Sequence, residues 1–220
     1  MIDTYACERA LRDGLDKLEI VLSDQQIALL IAYLAQFHKW NKAYNLSAIR
    51  DPLAMVERHL LDSLVLVPLF REHGVSELDS QRIIDVGTGG GLPGIPLSIV
   101  FPDRQWVLLD SNGKKTRFLF QVKVALGLDN VQVENTRVER YQPDSLFDVV
   151  VSRAFASLED MVTGSRHLLN EKGRFWAMKG IYPQKELRDC EKHAIVESAI
   201  SLEVPDQEGE RHLLILKPLS

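Results

Sequence analysis

Two acids and a run of glycines are the residues most able to bind a ligand. Asp85-Val86-Gly87-Thr88-Gly89-Gly90-Gly91 sets an acid at the end of the β-branched run Ile83, Ile84 and Val86, which reads as a strand buried on both faces. Glycines lacking a Cβ let the chain turn sharply and bring backbone close to a ligand. Pro93 and Pro96 fit the first turn of a following helix. Strand, glycine loop and helix N-terminus together predict a cradle for a nucleotide-type ligand. The dinucleotide fingerprint needs a glycine where Leu92 stands, and the phosphate-binding loop needs a lysine this stretch lacks. Asp110 ends the next expected strand, where one carboxylate can accept from both hydroxyls of a ribose. The same position also suits an acid that caps a helix.

The loop resembles the acid-x-Gly-x-Gly-x-Gly turn of S-adenosylmethionine-dependent methyltransferases. By that resemblance Asp85 faces the methionine part of the cofactor, Gly87 and Gly89 clear space for it, and the amides of Asn135-Thr136-Arg137-Val138-Glu139 meet the adenine edge. The target chemistry then falls at the strand ends, near Ser152-Arg153-Ala154-Phe155 and Lys179. No Pro-Cys pair offers a thiol nucleophile, and neither Cys7 nor Cys190 falls at a strand end. No Asn/Asp-Pro-Pro-aromatic run holds an exocyclic amine, and Lys179 lacks the companion acids of a ribose-methylating tetrad. The eliminations leave a target that needs little base catalysis.

Those residues need a sheet to hold them. From Arg82 onward strands alternate with helices, with strands expected at 83–86, 105–110, 131–134, 147–152 and 174–179. Two more, at 199–204 and 212–217, are joined too closely for a crossover helix and must form an antiparallel hairpin. This pattern predicts a Rossmann-like α/β sheet of five parallel strands plus a terminal hairpin, preceded by a helical region. The boundary is placed between residues 76 and 77, in a polar stretch broken by Gly74. In the helical region Ser23 and Gln26 form a capping box, and Asp51-Pro52 opens a helix with the apolar face Leu53, Val56, Leu60, Leu64 and Val67. His59 and Asp62, with Arg58, read as a polar surface cluster that orders this helix.

The chain carries a net charge of −5, so contact with nucleic acid must use a local basic patch. Two candidates exist. Lys39 and Lys42 lie in a polar connection over residues 38–46. Lys114, Lys115 and Arg117 occupy the first turns of a helix, where the dipole disfavours cations, so either RNA phosphate or solvated surface must account for them. Two distant cysteines suit a reducing cytoplasm. The histidines show no metal-ligand spacing, so no metal is expected, and no apolar run approaches the roughly 18 residues of a membrane span.

Taken in order, Trp40-Asn41-Lys42-x-x-Asn45-Leu46, Arg58-His59-x-x-Asp62-Ser63, Asp85-Val-Gly-Thr-Gly-x-Gly-Leu92-Pro93-Gly94 and Ser152-Arg153-Ala154 resemble the bacterial 16S ribosomal RNA guanine-N7 methyltransferase family, also called glucose-inhibited division protein B. The likeness spans nearly the whole chain and departs at Gly90, where many members carry proline. It implies S-adenosylmethionine as cofactor, contacts to it at Gly87, Leu92, Val138, Glu139 and Arg153, and a guanine N7 of 16S ribosomal RNA, free or in the small-subunit particle, as target. Two other classes stay open on the residues alone: a methyltransferase for protein or small molecules, and a nicotinamide-linked oxidoreductase.

Overall fold

The computed structural model describes residues 2–73, 81–153, 155 and 157–219. Helix α1 (Thr4–Lys17) is capped by Asp3, whose carboxylate accepts from the Ala6 amide at 3.0 Å. Helix α2 (Asp24–Tyr44) opens with the expected capping box: Ser23 Oγ accepts from the Gln26 amide at 3.2 Å, and Gln26 Oε1 accepts from the Ser23 amide at 3.0 Å. The connection expected at 38–46 is instead largely helix. Trp40 stacks on Tyr44 and packs against Phe118, so apolar contact carries α2 through a polar stretch before Asn45 ends it at φ +50°.

Asp51 caps α3 (Pro52–Met55), which runs into a π turn over Val56–Leu61 and then into α4 (Asp62–Leu64) and α5 (Val67–His73). Val56, Leu60, Leu64 and Val67 are buried as expected, but Leu53 is exposed. The wider π turn shifts the helical phase, so a face drawn at constant period misplaces its first residue.

Five strands are parallel: β1 (Arg82–Val86), β2 (Gln105–Leu109), β3 (Val131–Glu134), β4 (Phe147–Ser152) and β5 (Leu169–Lys179). Helices α6 (Gly94–Val100), α7 (Gly113–Leu126), α8 (Leu158–Ser165) and α9 (Gln184–Cys190) lie among them and after β5. The chain ends in the antiparallel pair β6 (Ala194–Ser201) and β7 (His212–Pro218), giving the order β3-β2-β1-β4-β5-β7-β6. β7 pairs antiparallel with β5, as a terminal hairpin requires. β6 begins five residues earlier than expected, and residues 202–211 form the connection.

Alternation along the strands supplies both faces of the sheet. Ile83, Trp106, Leu108, Val151 and Trp176 pack with the N-terminal helices, α6 and α7, whereas Ile84, Val107, Leu109, Val150 and Phe175 pack with α8. The N-terminal helices therefore share one hydrophobic core with the sheet. The division expected between residues 76 and 77 lies outside the described residues. Among the described residues, no helix is long and apolar enough to cross a membrane, and no group of three or more His, Cys, Asp or Glu side chains is placed to hold a metal ion.

Candidate active site

The glycine loop is fixed from three sides. Gly87 (φ +69°) and Gly89 (φ +61°) adopt backbone angles that side chains disfavour. The Gly87 amide donates to Leu109 O at 2.8 Å, and the Gly89 amide donates to Asp110 Oδ2 at 2.9 Å. From below, the Tyr33 hydroxyl donates to Gly90 O at 2.6 Å. Through Tyr33, helix α2 thus buttresses a turn residue that lies 57 positions downstream in sequence.

Asp85 is fully buried, and its Oδ2 accepts from Thr88 Oγ1 at 2.7 Å and from the Gly94 amide at 2.8 Å. Burial pushes this carboxyl up to about 6. Its Oδ1 is buried with no hydrogen-bond partner among the described residues. An unmet acceptor at this strand end suits the ammonium of a methionine moiety.

Beside the loop lies a cavity of about 370 Å³, lined by Gly87, Asp110, Lys115, Val138, Glu139 and Phe155 among others. That volume falls in the range of small-ligand sites. The structure thereby brings together Gly87, Asp110, Val138 and Glu139, four of the residues expected to hold the cofactor. Asp110 is not the helix cap: Asn112 fills that place, accepting from the Lys114 amide at 3.0 Å. Asp110 Oδ1 accepts from the Asn112 amide at 2.8 Å and Oδ2 from Gly89, and a carboxylate that lines the cavity keeps further lone pairs on both oxygens. Asp110→Ala is expected to weaken S-adenosylmethionine binding by about 1.5–3 kcal/mol for each charge-assisted hydrogen bond lost, read by calorimetry. An unchanged dissociation constant would remove Asp110 from the cradle.

Asp85, Gly89, Leu92 and Arg153, also expected to touch the cofactor, do not line this cavity. Leu92 packs into the core. Arg153 lines a second cavity of about 260 Å³ together with Asp62, Met178, Lys179, Gly180 and Arg211. Its Nη1 lies 2.7 Å from Asp62 Oδ2, and Arg211 Nε donates to Asp62 Oδ1 at 2.8 Å. Lys179 Nζ pairs with Glu186 at 2.8 Å and donates to Phe155 O at 3.1 Å.

Two members of the polar cluster expected on the helix surface, Asp62 and His59, are instead buried. Asp62 is 3% exposed and ties the helical region to β4 and to the start of β7, and no bond joins it to the exposed Arg58. His59 is 5% exposed, with Nε2 at 2.9 Å from Ser47 Oγ and Nδ1 at 2.9 Å from Arg58 O. Burial lowers this imidazole to about 4. Below pH ~6.5 the unfolded chain gains a proton at His59 that the fold refuses until about pH 4, so stability falls as pH drops through that window. Asp85 acts in the opposite sense between pH ~4 and 6, so the histidine is best read by difference. The stability of wild type relative to His59→Gln should shrink by about 2 kcal/mol between pH 7 and pH 5 in urea titrations. A constant difference would show that His59 takes up its proton in the fold.

The basic residues sit on two helices in contact. Lys39 and Lys42 are exposed on the last turns of α2, and Lys114 and Arg117 are exposed at the start of α7. Trp40 against Phe118, with ring centroids 5.7 Å apart, packs these two segments together. Lys115 differs from its neighbours. It turns inward to the first cavity, with Nζ 3.6 Å from Asp110 Oδ2.

A model of the rRNA small subunit methyltransferase G family matches residues 26–214, from the capping box of α2 into β7. The chain belongs to that family. It is an rRNA methyltransferase. Ribosomal RNA small subunit methyltransferase G of Saccharophagus degradans is 54% identical over 208 residues, covering 94% of this chain and 90% of that protein. Solved structures share the fold at lower identity. An S-adenosylmethionine-dependent methyltransferase from Geobacter sulfurreducens, in complex with S-adenosyl-L-homocysteine, superposes with a TM-score of 0.56 at 12% identity, over 84% of this chain and 98% of that one. TrmN from Thermus thermophilus gives a TM-score of 0.57 at 16% identity over 74% of this chain, which spans about half (53%) of that protein. The sheet order of this methyltransferase G family member, with β7 inserted antiparallel beside β5, is therefore the Rossmann-like methyltransferase arrangement.

Proposed function

We infer that this enzyme transfers a methyl group from S-adenosylmethionine to N7 of a guanine in 16S ribosomal RNA, in the cytoplasm and on RNA either free or in the small-subunit particle. The observation that carries this reading is the cavity at the ends of β1 and β2, bounded by the glycine turn and Asp110, in a chain of the methyltransferase G family. Gly87, Gly89, Asp110, Val138 and Glu139 would hold the nucleoside part of the cofactor, and Asp85 Oδ1 the ammonium. S-adenosylmethionine supplies a methyl group on a positively charged sulfur. Guanine N7 has a lone pair and no proton, so the chain need not provide a base. Arg153 has none to offer, since a guanidinium has no acceptor. The protein's work is to align the base and to tolerate the charge it acquires.

Incubation with labelled S-adenosylmethionine and unmodified ribosomal RNA, followed by cleavage at N7-methylguanine, tests the reading. Label at a single guanine of the 16S molecule is expected. Transfer to protein or small molecules alone would favour the other methyltransferase class. A nicotinamide-linked oxidoreductase is disfavoured by Leu92 and by the antiparallel β7 where such a domain continues with a parallel strand.

The exposed cations supply a second check. Changing Lys114 and Arg117 to glutamine should flatten the salt dependence of RNA binding by about 0.7–0.9 units of slope per contact removed, with cofactor affinity intact. Lys115→Gln should instead act on the cofactor. A salt slope equal to wild type would free the start of α7 from any RNA role and leave Lys39 and Lys42 as the candidate surface.

A further inference from the structure

The second cavity shares no lining residue with the first, yet it adjoins it. Phe155 walls the first cavity and gives its carbonyl to Lys179, while Arg153, two residues earlier, walls the second. Beyond β5 the chain turns out at Gly180, and Ile181 and Tyr182 stand 81% and 43% exposed beside the opening. The turn is braced from β7: His212 Nδ1 lies 2.9 Å from Gly180 O, and its ring packs edge-on to Tyr182 with centroids 5.3 Å apart. An exposed isoleucine and tyrosine beside a cationic cavity fit a partner that has both flat apolar faces and polar edges.

We propose that this cavity receives the target guanine, extruded from its strand, with Arg211 donating to O6 and the Ile181–Tyr182 turn contacting the bases left beside it. The proposal rests on the RNA reading above. Its volume of about 260 Å³ admits one base. Guanine and adenine both present N7, so discrimination must come from position 6, where guanine accepts a hydrogen bond and adenine donates. Arg153, Lys179 and Arg211 are donors only. The carboxylate facing them, Asp62, already accepts from Arg211 at Oδ1 and is ion-paired to Arg153 at Oδ2. An adenine amino group would meet donors, whereas guanine O6 finds a partner. Arg211 is the best placed, because Nε on Asp62 and Nη1 on Glu210 O fix its plane and leave Nη2 outside these bonds.

The same pairing answers an electrostatic difficulty. A base that becomes cationic on methylation is repelled by bare cations, but Asp62 and Glu186 balance two of the three charges around this cavity. Removing a base from its stack costs a few kcal/mol, and an aromatic side chain that stacks on a neighbouring base offsets part of it.

The test uses the full-length protein and 16S RNA carrying 6-thioguanosine at the guanine mapped as methylated. Near-ultraviolet irradiation should crosslink it to peptides containing residues 180–182 or 211–212. Tyr182→Ala should lower kcat/KM for RNA about tenfold. Arg211→Gln should lower it at least as much and narrow the preference for guanine over adenine at the target position. Both variants should bind S-adenosylmethionine within about twofold of wild type. Because Arg211→Gln leaves Asp62 with one partner fewer, the exposed Tyr182 provides the arm that folding cannot confound. Crosslinks confined to α2 or α7, or normal RNA kinetics in both variants while wild type methylates, would overturn the cavity assignment alone. Absence of any transfer to ribosomal RNA by wild type would overturn both readings.

Discussion

A folded Gly87→Val protein is expected to lose S-adenosylmethionine binding by about 100-fold or more. Two effects combine. The backbone at residue 87 is held at φ +69° by the bond from its amide to Leu109 O, so valine cannot relax to a comfortable angle without breaking the join between β1 and β2. A left-handed angle costs an ordinary residue about 1–2 kcal/mol, and a β-branched one fares worse. The new methyl groups also occupy the cavity that Gly87 lines. Titration calorimetry, with circular dichroism to confirm folding, measures the loss. Wild-type affinity in a folded variant would sink the placement of the cofactor.

Asp62→Ala is expected to cost about 2–3 kcal/mol of stability and to abolish methyl transfer. Removing one partner from a fully buried ion pair costs about 3–5 kcal/mol, and a surface pair is worth about 0–1 kcal/mol. The Asp62 side chain is 4% exposed, but those of Arg153 and Arg211 are 25% and 29% exposed, so water screens the stranded cations in part and the value falls between the limits. Chemical denaturation reads the first effect and turnover at saturating cofactor the second. Asn in place of Ala should recover much of the stability but little turnover, because it can accept from one arginine at a time without neutralising either. Full activity in Asp62→Ala would show that the two arginines need no common anchor.

Much of this architecture was legible in the residues themselves. β1 and β4 announce themselves as short β-branched runs because both faces of the sheet are covered, and the capping box at Ser23 and the Asp51-Pro52 start are local signals with local causes. β6 was harder to place. It is an edge strand whose burial alternates from Ala194 onward, so its start carries no continuous apolar run. The end of α2 was hidden for a different reason: Trp40 and Tyr44 hold it by contacts made after folding. Within the site, the glycine loop and Asp110 could be read from spacing. The Asp62 anchor could not, since Arg211 lies 149 residues away and nothing near either residue hints at the other. Leu92, which packs in the core, and Arg153, which lines the second cavity, were marked by likeness to a family and not by any spacing in the chain.

Helix α2 touches the glycine loop through Tyr33 and α7 through Trp40, and it carries Lys39 and Lys42 on either side of that second contact. Each residue of an α-helix advances the chain about 1.5 Å and turns it about 100°. The helix is thus a spacer with a fixed phase: deleting His38 would swing both lysines about a quarter of a circle around the axis while Tyr33 kept its hold on Gly90. Substitutions along this segment are cheap on its exposed side, but its length is not free to vary, and insertions or deletions there should be far less tolerated than any single replacement of Lys39 or Lys42.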